Sequence, residues 1–196
     1  CGLEVLHLND YGIPFSNITY SKDGGESWKT SNPASHNTTE CMAVELSNGH
    51  IMLNIRDNKN REDKSETNGR KIMITEDLGE TWTEHPTSNG ALIEPTCMAS
   101  IHRHDYTDND GVSKSILVFS NPNSKYKRIK QTIKVSLDDG NTWPREYWME
   151  LDEGRGAGYS CITSIDNDHI GILYEGSQAH MTFQKININE LIKKYD

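Results

Sequence analysis

Cysteine and histidine are the first side chains to consider for chemistry in this 196-residue chain, because both bind metal ions. The cysteines lie far apart and form no CxxC pair: Cys1, Cys41, Cys97 and Cys161. That spacing does not favour a structural zinc site, while a disulfide stays open. His102 and His104 would share one face of a strand, but a metal site there needs further ligands. We therefore predict no metal site.

Three aspartates form a second group of candidates, because each lies in a copy of the motif Ser/Thr-x-Asp-x-Gly-x-Ser/Thr-Trp. The Asp, Gly and Trp of the three copies are Asp23, Gly25 and Trp28; Asp77, Gly79 and Trp82; and Asp138, Gly140 and Trp143. Each copy lacks the terminal bidentate glutamate and the series of aspartates of a calcium loop. A tight turn explains the motif better, with Asp accepting from turn amides, Gly in the left-handed conformation and Trp packed over the loop. We interpret all nine residues as structural.

The spacing of these repeat turns indicates the elements that carry them. The second Asp follows the first by 54 residues, and the third follows the second by 61. An alternating, strand-like run precedes each turn: NITYS, RKIMITE and TIKVSL. A repeat of about 55 residues with about four short strands is typical of a β-propeller blade. Only ININELIKKYD, at the C-terminal end, reads as a helix, so we predict an all-β propeller with one short C-terminal helix.

The chain length determines how much of a propeller is present. At about 55 residues per blade, 196 residues form roughly three and a half blades, whereas a closed ring has typically four to eight. We therefore expect residues 1–196 to be one partial propeller domain, the C-terminal portion of a larger ring. The N-terminal blades of that larger ring would then be a partner of this chain.

Composition excludes two classes of partner. Lys and Arg number 20 against 29 Asp and Glu, so the formal net charge is −9. A nucleic-acid binder would show a basic face instead. No stretch of 18 apolar residues is present, and we therefore predict no membrane-spanning helix.

The repeat turns resemble the Asp-boxes, or BNR repeats, of sialidases (neuraminidases). Asp-boxes also occur in other propellers, so the segments between them carry more weight. Those segments are NTTECMAVELSNGHIMLNIRD at 37–57, EPTCMAS at 94–100, LVFSNPNSKYKRIKQTIKVS at 117–136, GAGYSCITSI at 156–165 and ILYEGSQAHMTFQKI at 172–186. They resemble the exo-α-sialidases of Bacteroides-like bacteria over essentially the whole chain. The resemblance implies a six-bladed, sialidase-type propeller, of which this chain covers roughly the last three to four blades.

The resemblance implies a nucleophile and a base. Sialic acid carries a carboxylate on its anomeric carbon, which repels an Asp or Glu nucleophile, whereas a neutral tyrosine avoids that repulsion. Tyr159, in a glycine-flanked segment, matches the nucleophile of the family. Glu40, at the entry to the CMAVEL run, matches the base that takes the phenol proton. Without the resemblance, Glu40 would read as an exposed loop carboxylate.

The resemblance also implies a carboxylate-binding group. Arginine supplies the planar, bidentate donors that a carboxylate needs, and lysine does not. Arg56 and Arg128 match two arginines of the family triad, although three lysines near Arg128 leave its register open. Glu94 is implied as a possible pocket carboxylate. The acid/base Asp and one more triad Arg are expected upstream of residue 1.

The leading hypothesis is thus a retaining exo-α-sialidase that needs no cofactor. Its substrates would be sialylated glycoproteins, glycolipids or oligosaccharides, so a periplasmic, cell-surface or secreted location is expected. The alternative is a non-catalytic Asp-box propeller that acts as a glycan-binding or interaction module. That module would not require Tyr, Glu and Arg at the matched positions. Hydrolysis and sialyl transfer share one site and stay open at this point.

Overall fold

The computed structural model describes residues 7–8, 11–177 and 180–192, and within them the chain is all-β with one short C-terminal helix, as predicted. The described strands form five antiparallel sheets. No described helix is long and apolar enough to cross a membrane. Cys97 and Cys161 are free thiols, whereas Cys1 lies outside the described residues.

The N-terminal part consists of two small sheets. The first has the order β1-β2-β5 and the second is the hairpin β3-β4. Their strands are β1 (His7–Leu8), β2 (Pro14–Ser16), β3 (Thr19–Tyr20), β4 (Lys29–Thr30) and β5 (Ser35–His36). The first repeat turn, residues 21–28, joins β3 to β4.

The next sheet is a four-stranded meander in the order β6-β7-β8-β9. Its strands are β6 (Thr38–Glu45), β7 (Ile51–Asp57), β8 (Lys71–Thr75) and β9 (Thr83–Glu84). A 3-10 helix, Asn58–Arg61, follows β7. The second repeat turn, residues 75–82, joins β8 to β9.

A second four-stranded meander repeats this plan in the order β10-β11-β12-β13. Its strands are β10 (Ser100–Thr107), β11 (Ser113–Pro122), β12 (Ile129–Ser136) and β13 (Trp148–Arg155). The third repeat turn, residues 136–143, and the 3-10 helix Arg145–Tyr147 join β12 to β13. In both meanders the repeat turn therefore connects the third strand to the fourth.

The last sheet has three strands and the helix. It contains β14 (Ser160–Asp166), β15 (His169–Glu175) and β16 (Met181–Asn187), followed by α1 (Ile188–Ile192). The segment predicted as wholly helical thus begins inside β16, because the Ile186 side chain packs with Ile170 and Ile172 of the same sheet in the core. The predicted residues 193–196 of this helix lie outside the described residues.

Apolar side chains pack between consecutive sheets. The cluster between the two meanders includes Met52, Ile101 and Phe119, and the cluster between the second meander and the last sheet includes Ile133 and Ile172. The first strands of successive sheets, β6, β10 and β14, contact one another. Strand β11 has apolar side chains on both faces: Ile116 and Val118 enter one cluster, and Leu117 and Phe119 the other, since successive side chains of a strand point to opposite faces.

The meander fixes two ends of each sheet. In an antiparallel meander the start of the first strand, the end of the second and the start of the third lie at one end. The repeat turns follow the third strand, so they lie at the opposite end. We call the two ends the strand-entry end and the repeat-turn end.

Candidate active site

The three repeat turns share one hydrogen-bonded geometry. In the second turn, both carboxylate oxygens of Asp77 accept hydrogen bonds from the Thr81 amide, and Oδ2 also accepts one from the Thr81 hydroxyl. The Thr75 hydroxyl donates to Asp77 at 2.7 Å and accepts from the Gly79 amide at 2.7 Å. Hydrogen bonds from the Thr81 hydroxyl and amide, and from Thr75, lower the pKa of Asp77 to about 2.

The other two turns repeat these contacts with their own residues. Asp23 accepts from the Ser27 amide and hydroxyl, and Asp138 accepts from the Thr142 amide and hydroxyl. The glycine of each turn has a positive φ angle: 97° for Gly25, 83° for Gly79 and 83° for Gly140. The aspartates therefore act within their turns, as the motif predicts.

At the strand-entry end, three charged or phenolic side chains meet, two from the first meander and one from the start of the last sheet. The Tyr159 hydroxyl donates a hydrogen bond to Oε1 of Glu40. The other oxygen of Glu40, Oε2, accepts one from Nη1 of Arg56, and the Arg56 and Glu40 side chains are only 14% and 16% exposed. Glu40 and Tyr159 are 119 residues apart in the sequence. This phenol–carboxylate–guanidinium chain is the central feature of the candidate site.

Each member of the chain sits at a defined point of its strand. Glu40 lies near the start of β6, where the register with β7 shifts between Thr38 and Cys41. Arg56 is the next-to-last residue of β7, and Tyr159 immediately precedes β14. The fold brings these positions together because β6 and β7 pair and successive sheets contact through their first strands.

Electrostatics keep the phenol protonated at rest. Burial, followed by the hydrogen bond and the negative charge of Glu40, raises the pKa of Tyr159 to about 12, although Arg56 acts in the opposite direction. For Arg56, burial alone would lower the pKa, but the hydrogen bond and charge of Glu40 outweigh it and raise the pKa. Tyr159 is thus a neutral hydroxyl aimed at an acceptor, which suits proton transfer during attack and not prior ionisation.

Arg128 also lies close to the tyrosine. Its guanidinium carbon is 5.6 Å from the centroid of the Tyr159 ring, and Nη1 donates to the carbonyl of Ala157 at 2.8 Å. The Arg128 carbonyl in turn accepts from the Gly156 amide at 3.1 Å. The structure therefore places the two predicted arginines, Arg56 and Arg128, near the same phenol.

Glu94 is not at an open pocket in this structure. Its side chain is fully buried and its Oε2 accepts a 2.6 Å hydrogen bond from Nη1 of Arg70, whose side chain is also fully buried. Both carboxylate oxygens are occupied, since Oε1 accepts from the Asp57 amide and from Asn60. Burying a carboxylate costs free energy unless it is paired, and Arg70 is that pair. The pocket role predicted for Glu94 does not agree with this position.

Sequence reasoning missed two further residues that contact the site. Glu175, at the end of β15, accepts a hydrogen bond from the Tyr159 amide at 3.1 Å. The Sγ atom of Cys97 lies 3.7 Å from the carbonyl oxygens of Ala157 and Gly158. No spacing signal links either residue to Tyr159, because each contact depends on how loops and sheets pack.

The histidine pair has ordinary hydrogen-bond partners. His102 and His104 share a strand face as predicted, and both ring nitrogens that point that way contact the Ser164 hydroxyl, at 2.9 and 2.8 Å. His104 also contacts the Asn167 carbonyl at 3.1 Å. In the part of the chain that the structure describes, no group of three or more His, Cys, Asp or Glu could hold a metal ion.

The amino-acid sequence is similar to a known domain family and to known proteins. A family model described as a BNR repeat-like domain matches residues 9–174. The chain is 49% identical over 181 residues to a sialidase of Bacteroides fragilis, covering 92% of this chain and 32% of that protein. It is 32% identical over 157 residues to a sialidase of Micromonospora viridifaciens, covering 80% and 23%.

Solved structures resemble the fold. The Hadza microbial sialidase Hz136 is 44% identical and superposes with a TM-score of 0.85, over 94% of this chain and 34% of that one. A Trypanosoma rangeli sialidase in complex with sialic acid is 20% identical with a TM-score of 0.66, over 91% and 27%, and indicates the fold alone. These sialidase neighbours are β-propellers, so the predicted propeller architecture is confirmed. The chain spans about a third of the length of its most similar relatives named here.

Proposed function

Because the chain belongs to the BNR repeat-like domain family and has sialidases as relatives along most of its length, we propose that it forms part of a retaining exo-α-sialidase. The enzyme removes terminal α-linked sialic acids from glycoproteins, glycolipids or oligosaccharides. One observation carries this proposal: the Tyr159 hydroxyl is hydrogen-bonded to Glu40, and Glu40 is held by Arg56.

The first step is attack by tyrosine. The Tyr159 oxygen forms a bond to the anomeric carbon while its proton passes to Glu40. The bond from that carbon to the leaving-group oxygen breaks, and an acid from outside this chain protonates that oxygen. A neutral nucleophile suits a carbon that carries a carboxylate, and the raised pKa of Tyr159 keeps it neutral until the proton moves.

The second step regenerates the tyrosine. Water attacks the anomeric carbon while the acid outside this chain, now deprotonated by the first step, takes a proton from that water. The bond to the Tyr159 oxygen breaks, and Glu40 returns its proton to the phenolate. Two displacements at one carbon retain its configuration. Transfer to another sugar hydroxyl instead of water would use the same two residues.

The arginines bind the substrate carboxylate. Arg56 uses Nη1 for Glu40, and its guanidinium carries further N–H donors. A substrate carboxylate supplies acceptors for such donors. The Arg128 guanidinium lies 5.6 Å from the centroid of the Tyr159 ring. A third arginine and the acid/base Asp belong to the remainder of the propeller. The enzyme acts in the periplasm, at the cell surface or after secretion, because sialylated glycans are extracellular.

Covalent trapping tests this proposal in the complete enzyme, that is, in the full-length natural protein that contains residues 1–196. A fluorinated sialosyl fluoride should label Tyr159, and peptide mass mapping locates the label. Tyr159→Phe should abolish labelling and lower kcat by about a thousandfold or more, because no oxygen remains to form the glycosyl–enzyme bond. Tyr126→Phe, at a 72% exposed tyrosine, is the matched control and should label normally.

A label on a carboxylate would refute the tyrosine mechanism. Absence of both labelling and turnover with 4-methylumbelliferyl sialosides would favour the non-catalytic propeller instead.

A further inference from the structure

A fully buried ion pair lies directly beneath the candidate site. Arg70 and Glu94 are both 0% exposed and their side chains are 2.6 Å apart. Arg70 also donates from Nε to Asn54 at 2.7 Å, so its guanidinium is held on two sides. Replacing a buried ion pair by packed apolar residues is often neutral or stabilising, so fold stability alone gives a weak reason for this pair.

Glu94 connects the pair to the carboxylate-binding arginine. Its Oε1 accepts from the backbone amide of Asp57 at 2.9 Å, and Asp57 is the residue that follows Arg56. The Asn60 side chain donates to the same oxygen at 2.7 Å. Glu94 therefore anchors the end of β7 from which the Arg56 side chain extends.

Arg70 connects the pair to the nucleophile. Its Nη1 donates to the backbone carbonyl of Cys97 at 2.7 Å. The Cys97 thiol lies against the carbonyls of Ala157 and Gly158, immediately before Tyr159. Burial raises the pKa of that thiol to about 11, which keeps it a neutral packing group.

The turn before Tyr159 has no spare room. Gly158 has a φ of +90°, and a Cβ at this position would lie 2.7 Å from Pro122 and 3.1 Å from the Cys97 sulfur. A shift of the Cys97 backbone would therefore press directly on the turn that presents the phenol.

We propose that Arg70 and Glu94 are positioning residues that hold the Tyr159 turn and the Arg56 end of β7 in one fixed relation. This inference rests on the proposed function, since it assigns the pair to the geometry of the same reaction. A displacement of about 1 Å at a reacting group is enough to cost about 100-fold in rate. The pair acts through Cys97 and Asp57 and touches no substrate.

Two variants of the complete enzyme test the pair. Glu94→Gln keeps the size and one acceptor but removes the charge, and Arg70→Lys keeps the charge but cannot reach Asn54, Glu94 and Cys97 together. We expect each to lower the kcat of the folded protein, and the rate of covalent labelling of Tyr159, by about 10- to 100-fold. Assays run well below the Tm of each variant, so that unfolding does not contribute.

Asp77→Ala in the second repeat turn is the matched control. It removes turn hydrogen bonds at the opposite end of the same sheet, so it lowers Tm without changing kcat or labelling rate. If Glu94→Gln and Arg70→Lys likewise lower only Tm, the pair is merely structural and the inference is wrong.

Cys97→Ala decides the case if neither variant folds. It leaves the ion pair intact and removes only the thiol under the turn, so a 10-fold or greater drop in labelling rate supports the inference and an unchanged rate overturns it. Failure of the proposed function is a separate result, because wild-type protein would then show no labelling at Tyr159 at all.

Discussion

The two ends of the sheets are built in different ways. At the repeat-turn end, the aspartate of each turn bonds to residues two to four positions away, as between Asp77 and Thr75 or Thr81. At the strand-entry end, Glu40 meets Tyr159 across 119 residues and Arg56 across 16. Local chemistry therefore makes the turns, whereas the site exists only once sheets far apart in the sequence have packed.

The difference teaches what each end is used for. A local turn can be copied along the chain, because it carries its own hydrogen bonds. The strand-entry end has no such repetition: Glu40, Arg56, Arg128 and Tyr159 each occur once and lie on different elements. Substitutions at the two ends should thus separate stability from activity, and the following variants of the complete enzyme test that separation.

Glu40→Gln should have the largest effect on activity among these variants. The amide cannot take the phenol proton, and loss of a general base costs about 10²- to 10⁴-fold in rate. Tm should change little by comparison, and steady-state kinetics with calorimetry measure both. Glu45→Gln, at an exposed position on the same strand, is the control. Equal losses of activity in Glu40→Gln and Glu45→Gln would show that the strand-entry end does not hold the catalytic base.

Arg56→Lys should weaken binding of the substrate carboxylate by about 10- to 100-fold. Lysine keeps the positive charge, but it loses the fork that engages a carboxylate through two hydrogen bonds. Titration with dehydrated sialic acid, a planar mimic, measures the affinity. Arg61→Lys, in the neighbouring 3-10 helix, serves as control. Unchanged affinity in Arg56→Lys would remove this arginine from the carboxylate site.

Lys134→Met tests whether a group between the two ends sets a pH dependence of stability. Lys134 is fully buried, its Nζ lies 4.4 Å from the Trp148 ring centroid, and burial, with the charge of Arg145, lowers its pKa to about 7. The unfolded lysine has a pKa of about 10.4, so between pH 7 and 10 the unfolded state binds the extra proton. The free energy of unfolding of the wild type should therefore rise with pH in that window.

The methionine variant should lose this rise. Its stability advantage over the wild type should be larger at pH 7 than at pH 9, by about 2 kcal/mol. Chemical denaturation at both pH values measures the difference. A constant advantage would mean that Lys134 keeps its ordinary protonation.

Asp138→Ala should lower Tm by about 2–4 °C without changing kcat. The Asp138 turn packs on the core, since the Trp143 side chain is only 8% exposed and its ring centroid lies 5.9 Å from that of Phe119. Asp23→Ala, in a turn whose Trp28 is 63% exposed, should lower Tm less. Thermal unfolding of both variants ranks them. The opposite ranking would show that packing of the tryptophan does not set the contribution of a turn.

Sequence alone determined much of the fold. Three copies of one motif gave the all-β class and the position of every repeat turn, because the Asp, Gly and Trp requirements of such a turn are local. The C-terminal helix is present as predicted, but it begins at Ile188, two residues after the start of the predicted segment. Ile186 belongs to β16 instead, because its side chain packs in the core beside β15. Packing with another strand outweighed local helix propensity there.

The site residues were named through resemblance, and their roles stay predictions. Spacing cannot place Tyr159 against Glu40, because that contact depends on the packing of β6 against the sheets that follow. Glu94 shows the limit most clearly: the residue predicted as a possible pocket carboxylate is fully buried against Arg70, since only the folded chain brings the two charges together. The sequence by itself determines which turns form, because their hydrogen bonds lie within a few residues. Tertiary structure decides which side chains meet in the site, because only long-range packing brings them together.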